Sequence, residues 1–256
     1  LENSLNKHHS KQKFNARKFF RNILLALSVI AWTMVVYYLV QSILAVIVLD
    51  ILKLLGLLDY SNLRNETKAI VGATLIYVMT LAITIFVPAM VKVKRVDLKQ
   101  LGLQRMMSWS DLLYGPLGFI PYIIASTIIT VLAIQFIPWF NPSQTQDLGL
   151  LSVGSGMNAF IAFVLLVFIA PFAEETLFRG YLYGKVKGYV GVVAATLFVS
   201  VCFGAVHGQW NVAIDVFALS VVLCGLREIT GSIWAGIVLH MVKNTVAFMA
   251  LYTYFF

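Results

Sequence analysis

Phe160-Ile161-Ala162-Phe163-Val164-Leu165-Leu166-Val167-Phe168-Ile169-Ala170-Pro171-Phe172-Ala173-Glu174-Glu175-Thr176-Leu177-Phe178-Arg179-Gly180 is the stretch that decides how this chain is read. Fourteen residues without a hydrogen-bonding side chain run straight into two carboxylates and, four positions later, a guanidinium. Charges at bilayer depth cost roughly 2.5–3.5 kcal/mol each on insertion scales, so they face a protein interior and mark function. Two more polar clusters interrupt apolar runs in the same way: Phe203-Gly204-Ala205-Val206-His207 and His240-Met241-Val242-Lys243-Asn244.

Working outward, the whole composition agrees with a membrane setting. Hydrophobic residues make up 60% of the 256 and charged residues only 12%, against about 25% charged in soluble domains. The net charge of +8 sits in short basic segments beside apolar runs, which marks a cytoplasmic side rather than a nucleic-acid face. Nucleic acid is therefore not an expected partner, and the lipid bilayer is. Cys202 and Cys224 lie in apolar runs and read as buried hydrophobes. The first apolar stretch is too long for the h-region of a cleaved signal peptide.

The expected fold class is all-α: a polytopic membrane bundle of about seven transmembrane helices, six to eight being possible. Residues 1–22 form a basic cytoplasmic N-terminus (Lys7, Lys11, Lys13, Arg17, Lys18, Arg21), and 23–91 hold two spans. Residues 92–256 hold the rest: spans at 112–137, from 157 through Glu174-Glu175, at 189–207, at a short 212–226, and from 231 onward. Spans of roughly 20 residues cross a core of about 30 Å. With the N-terminus inside a cell membrane, the basic segments at 92–111, 180–188 and 227 fall on its side and the 139–156 loop on the other. The amphipathic 92–111 segment suits anionic lipid or a partner. Trp139, Tyr181, Tyr183, Trp210 and Trp234, at span ends, read as interfacial anchors.

Helical spacing then assigns chemistry. Glu175 and Arg179, four apart, stack and can pair. Glu174 is turned by about 100°, free to face a cavity. Two adjacent acids in different surroundings suit acid/base work. His240 and Asn244 share a face and can aim two donors at an oxyanion. His207 beside Glu174 can hold a water, and Asn211, four residues on, can orient that histidine. Asp215 and Lys243 read as a structural ion pair, with Glu175 as the other candidate partner of Lys243. Glu174, His207 and His240 could also supply three ligands to a catalytic zinc, although the paired-histidine motif His-Glu-x-x-His is absent.

Other protease chemistries fit less well. Ser155 lies before a span and reads as a helix start, Asp215 lacks a second aspartate, and Cys202 is off the face of His207. One measure argues against a single site. If the chain turned at Gly188, Glu174 and His207 would lie several ångströms apart in height, unless helix tilt or a break at Gly180, Gly184 or Gly188 closed the gap.

In order and spacing the three clusters resemble the signature motifs of the CPBP family, which comprises CAAX prenyl endopeptidases and the Abi group of bacteriocin-processing and self-immunity proteins. The resemblance covers roughly 95–250 and includes Leu101-Gly102-Leu103; the first two spans match nothing in it. It implies an intramembrane endopeptidase, labelled a metalloprotease or argued as glutamate-dependent. On that resemblance Glu174 is the general base, His207 helps hold the water, His240 and Asn244 stabilise the oxyanion, and Glu175 and Arg179 organise the site. The expected substrate is a membrane-associated peptide, a leader peptide or a lipidated protein tail. The alternatives from another class are a non-catalytic immunity protein and a proton-coupled transporter.

Overall fold

The computed structural model describes residues 15–63, 65–91, 97–144 and 157–255. Lys7, Lys11, Lys13, Lys94, Arg95 and Ser155 lie outside them. The described residues form a helical bundle without strands. Eight helices follow in order: α1 (Ala16–Leu54), α2 (Asn65–Met90), a one-turn α3 (Leu98–Leu101), α4 (Trp109–Phe136), α5 (157–190), α6 (Val192–Ala205), α7 (Trp210–Thr230) and α8 (Trp234–Phe255). Among the described residues, four segments are long and apolar enough to cross a bilayer, namely Ala16–Leu54, Val71–Met90, Trp109–Phe136 and Ala159–Val190.

The helices fall where seven spans were expected, but their lengths differ. α6 has 14 residues, roughly 21 Å, so the fifth expected span is the short one. α7, expected short, has 21 and carries Asp215, Arg227 and Glu228. Isolated apolar length therefore does not define every span here, because the interior helices are solvated by one another.

α7 lies at the centre, against α6, α4 and α8, while α5 packs between α1, α6 and α8. Phe178, Leu182, Val199, Phe203, Leu219 and Leu223 fill the seam, each fully buried. Tyr181 and Tyr183, expected as interfacial anchors, are 3% and 0% exposed; they face this seam, whereas Trp139 and Trp210 do stand outside and stack edge-on at 5.0 Å. Around this centre the large apolar side chains of α1, α2 and α4 point outward (Leu24, Phe86, Ile128), as a lipid-facing rim requires.

The turn between α5 and α6 falls at Gly191, whose φ of 82° is open to glycine and strained for other residues. No break occurs at Gly180, Gly184 or Gly188. Seventeen residues separate Glu174 from Gly191 and sixteen separate Gly191 from His207. Both groups thus stand about 25 Å from the turn at 1.5 Å per residue, and the mismatch in height disappears.

Gly180 and Gly184 serve close approach instead. A Cβ on Gly184 would sit 2.4 Å from the Gln100 carbonyl, and one on Gly180 2.9 Å from that of Leu101. The short α3 is therefore clamped on α5. Arg227, 5% exposed, donates to the Lys99 and Gln100 carbonyls at its C-terminal end, where a cation also meets the helix dipole. The Ser232 hydroxyl and Ile233 N–H donate to Gly102 O. α4 then starts at a capping box of Ser108 and Asp111, with Arg105 bound in two places to the fully buried Asp111.

Candidate active site

The three motifs converge at one level of the bundle. Glu174, Glu175 and Arg179 come from α5, Phe203 from the end of α6, His207 from the turn after it, and His240 and Asn244 from α8. Glu175 Oε1 accepts from Arg179 Nη1 at 3.1 Å and from His240 Nδ1 at 2.9 Å. Glu175 is 0% and Arg179 1% exposed. Removing one partner of such a pair typically costs about 3–5 kcal/mol, because the other is left buried and charged. The Phe203 ring lies under the guanidinium, 4.1 Å from its carbon, and gives the cation a second favourable face. The same ring touches both histidines edge-on, at 4.9 Å for His207 and 5.9 Å for His240.

These bonds settle where the protons are. A carboxylate beside Arg179 accepts only, so His240 Nδ1 carries a hydrogen. His240 can then donate to a developing oxyanion through Nε2 only when both of its ring nitrogens carry hydrogen. His207 Nδ1 lies 2.7 Å from Phe203 O, a carbonyl freed by the end of α6, so this nitrogen also carries hydrogen. Its Nε2 is the acceptor in the neutral ring. Asn211 does not orient His207: its amide donates to Gln144 O at 2.7 Å. The chain turns through Val206–Gln209, and α7 restarts at Trp210, which breaks the four-residue spacing.

Glu174 is less enclosed than Glu175, its side chain 16% exposed. Its Oε2 stands 3.9 Å from His240 Nε2, too far for a hydrogen bond, and a gap that one bridging oxygen spans at about 2.8 Å to each side. Glu174, His240 and Lys243 all act electrostatically on His207. Glu174 Oε1 accepts from Tyr77 Oη at 3.1 Å. Tyr77 is a site residue the sequence reading missed. It is the one tyrosine of α2, and a lone tyrosine in an apolar span looks like any other lipid-facing residue.

Asn244 has a different first partner from the one expected. Its amide donates to Leu166 O at 2.9 Å. Residues Leu165–Ile169 form a π turn, in which Ala170 N–H reaches back to Leu165. Ala170 is thus spent, and Pro171, next in that register, has no N–H. The Leu166 carbonyl would be orphaned, and Asn244 supplies the donor. The second amide hydrogen remains available to the site.

Glu174, His207 and His240 are the candidate metal ligands that the sequence left open. Among the described residues no three His, Cys, Asp or Glu side chains converge closely enough to hold a metal ion. His240 Nδ1 is engaged by Glu175 and His207 Nδ1 by a carbonyl, which leaves Nε2 of each ring as its one possible ligand atom. Asp215 and Lys243 do pair, at 3.5 Å.

No curated protein and no solved structure matches this chain. Residues 156–246, a little over a third of the chain, match the family model described as type II CAAX prenyl endopeptidase Rce1-like. That segment contains all three motifs, and over it the chain is similar to the CAAX prenyl endopeptidase family, in agreement with the resemblance the motifs carry.

Proposed function

We propose that this protein is an intramembrane endopeptidase in which Glu174 activates water without a metal ligand set. The observation that carries the reading is the asymmetry of the two adjacent acids. Glu175 is fully buried and holds both Arg179 and His240 through one oxygen, while Glu174 keeps one oxygen 3.9 Å from His240 Nε2, a separation that one oxygen seated beside the pair can bridge.

In the proposed reaction a water between Glu174 and the histidines gives a proton to Glu174 Oε2 as its oxygen attacks the scissile carbonyl carbon. His207 Nε2 accepts from that water and fixes its direction. The carbonyl electron pair moves onto oxygen, where His240 Nε2–H and the second Asn244 amide hydrogen stabilise it; such donors are worth about 2.7–4 kcal/mol each elsewhere. Collapse breaks the C–N bond, and the proton on Glu174 passes to the leaving nitrogen. The N-terminal segment lies in the cytoplasm in this reading, and the protein sits in the cell membrane.

The test is cleavage of a fluorogenic prenylated peptide and an unprenylated leader peptide by purified protein. Glu174→Gln should reduce cleavage to background while the melting temperature in detergent holds. A chelator should leave the wild-type rate unchanged. Equal cleavage by Glu174→Gln would sink the mechanism, and no cleavage of either peptide by wild type would sink this choice of substrates.

A further inference from the structure

α1 lies outside the segment that matches the family, and it carries two adjacent tyrosines, Tyr37 and Tyr38. Successive residues of a helix point about 100° apart, so the two rings leave α1 toward different neighbours. Tyr37 stands edge-on against Phe178 of α5, with ring centroids 6.3 Å apart, one turn beyond Glu174. Glu174 acts electrostatically on the Tyr37 hydroxyl and on that of Tyr77, and Tyr37 in turn acts on Tyr77. Tyr38 reaches the other way. Its hydroxyl donates to Ala205 O at 3.3 Å, and the same carbonyl accepts from Gly208 N–H, closing the turn in which His207 stands. The register of α1 is fixed on both sides of these residues. Before them, Trp32 Nε1 donates to Thr84 O of α2 at 3.2 Å and ties the two helices together. After them, Val40–Leu44 form a π turn, a feature often found at functional sites. It keeps Val40 and Ala45 both buried, although five residues of regular α-helix would turn them about 140° apart.

Glu174 comes from α5 and His207 from the turn after α6, so the distance between them depends on what ties α5 to that turn. α1 touches both, through neighbouring residues on one helical backbone. We propose that Tyr37 and Tyr38 are positioning residues that fix Glu174 and His207 relative to one another, which makes α1 a working part of the catalytic unit. These roles rest on the peptidase reading above, in which Glu174 and His207 handle the attacking water. A packing role would need only the rings, whereas a positioning role needs the hydroxyls. Tyr38 is 46% exposed, so its ring is only partly enclosed and its hydroxyl is the polar tie to the end of α6. In an apolar span that hydroxyl has no water to turn to, which holds it on Ala205 O. When the turn loosens, His207 Nε2 moves, although Nδ1 keeps its bond to Phe203 O. Displacements of about 1 Å in such a group cost up to about a hundredfold in rate, so even a small shift of the turn is visible in kcat.

The experiment pairs kinetics with a spectrum that needs no turnover. Full-length protein in detergent, as wild type, Tyr37→Phe and Tyr38→Phe, is assayed on the two peptides above, and its melting temperature is recorded. The same proteins are labelled with 15N at histidine; the chain has four, and His207→Asn identifies the His207 ring signals. Each tyrosine variant should lower kcat about fivefold or more, with KM held within about twofold and the melting temperature unchanged. Tyr38→Phe should also shift the His207 ring signals and leave those of His240 in place, while Tyr37→Phe should move neither. A wild-type kcat in either variant overturns the proposal, as does a loss confined to KM, which would put the tyrosines on the substrate. Unmoved His207 signals in Tyr38→Phe overturn it too. Should either variant fail to fold, the hydroxyls are structural and the proposal falls. If wild type cleaves neither peptide, the peptidase reading loses its support and the histidine spectrum alone decides whether Tyr38 holds the turn. Cleavage at the wild-type rate by both variants would leave the peptidase standing and remove α1 from its site.

Discussion

At the scale of single residues, the site is organised around contacts that cross motifs. Glu175, Arg179, Phe203 and His240 form one buried unit, and the spacing of Glu175 and Arg179 made part of it readable in advance. Tyr77 was not readable, because a tyrosine in an apolar span carries no periodic or motif signal. Its hydroxyl bonds Glu174 Oε1, and a hydrogen bond to a charged group is worth about 1.5–3 kcal/mol. Tyr77→Phe should therefore lower kcat/KM about tenfold or more with little change in melting temperature, since the ring stays in place. A matching loss of stability would make Tyr77 a packing residue instead. The tyrosine also shows that the site draws on helices on both sides of residue 91, outside the segment that matches the family.

At the scale of elements, two devices in α5 lead to separate predictions. The first is the π turn before Glu174, whose stranded Leu166 carbonyl is served by Asn244. Asn244→Ala should destabilise the protein by about 1–3 kcal/mol, the cost of an unsatisfied buried acceptor. Pro171→Ala restores a backbone N–H at the right register, so much of that penalty should vanish in the double variant, a coupling that a double-mutant cycle in denaturant reads directly. Cleavage should stay impaired in the double variant if the second amide hydrogen serves the oxyanion. Full recovery of cleavage would reduce Asn244 to a structural pin. From spacing alone Asn244 showed only its face of α8; the partner was hidden because π turns have no reliable sequence mark beyond the proline that follows.

The second device is the glycine contact between α5 and α3. Gly184→Ala drives a methyl group into the Gln100 carbonyl, and such overpacking against backbone costs about 1–3 kcal/mol. Gly188, one turn later, has nothing within 4 Å of its would-be Cβ. Gly188→Ala should be neutral or stabilising by up to about 1 kcal/mol through helix propensity. Thermal melts of the two variants in one detergent make the comparison, and equal shifts would refute the clamp. The sequence showed these glycines as candidate helix breaks; the sharper signal was Gly191, followed by the apolar run of the next helix. Misplacing the turn by three residues is what made the heights of Glu174 and His207 look unequal.

At the scale of the whole molecule, helix class and span positions were legible because apolar runs and basic segments alternate over the full length. The span lengths were not, because α6 is shielded by α5 and α7 and need not match the bilayer by itself. Orientation remains an expectation from charge, and it can be read without disturbing the core. The two native cysteines, Cys202 and Cys224, are buried, so a maleimide that does not cross membranes should find little background. Lys187 and Glu228 pair at 2.5 Å at the α5–α7 end that also holds Arg227, while Ser143 lies exposed in the loop beyond α4. A cysteine at Ser143 should be labelled from outside intact cells, and one at Glu228 only after the membrane is opened. The reverse pattern would turn the bundle over. It would leave the geometry of Glu174 and its partners untouched, but it would put the loop that holds Ser143 on the cytoplasmic side.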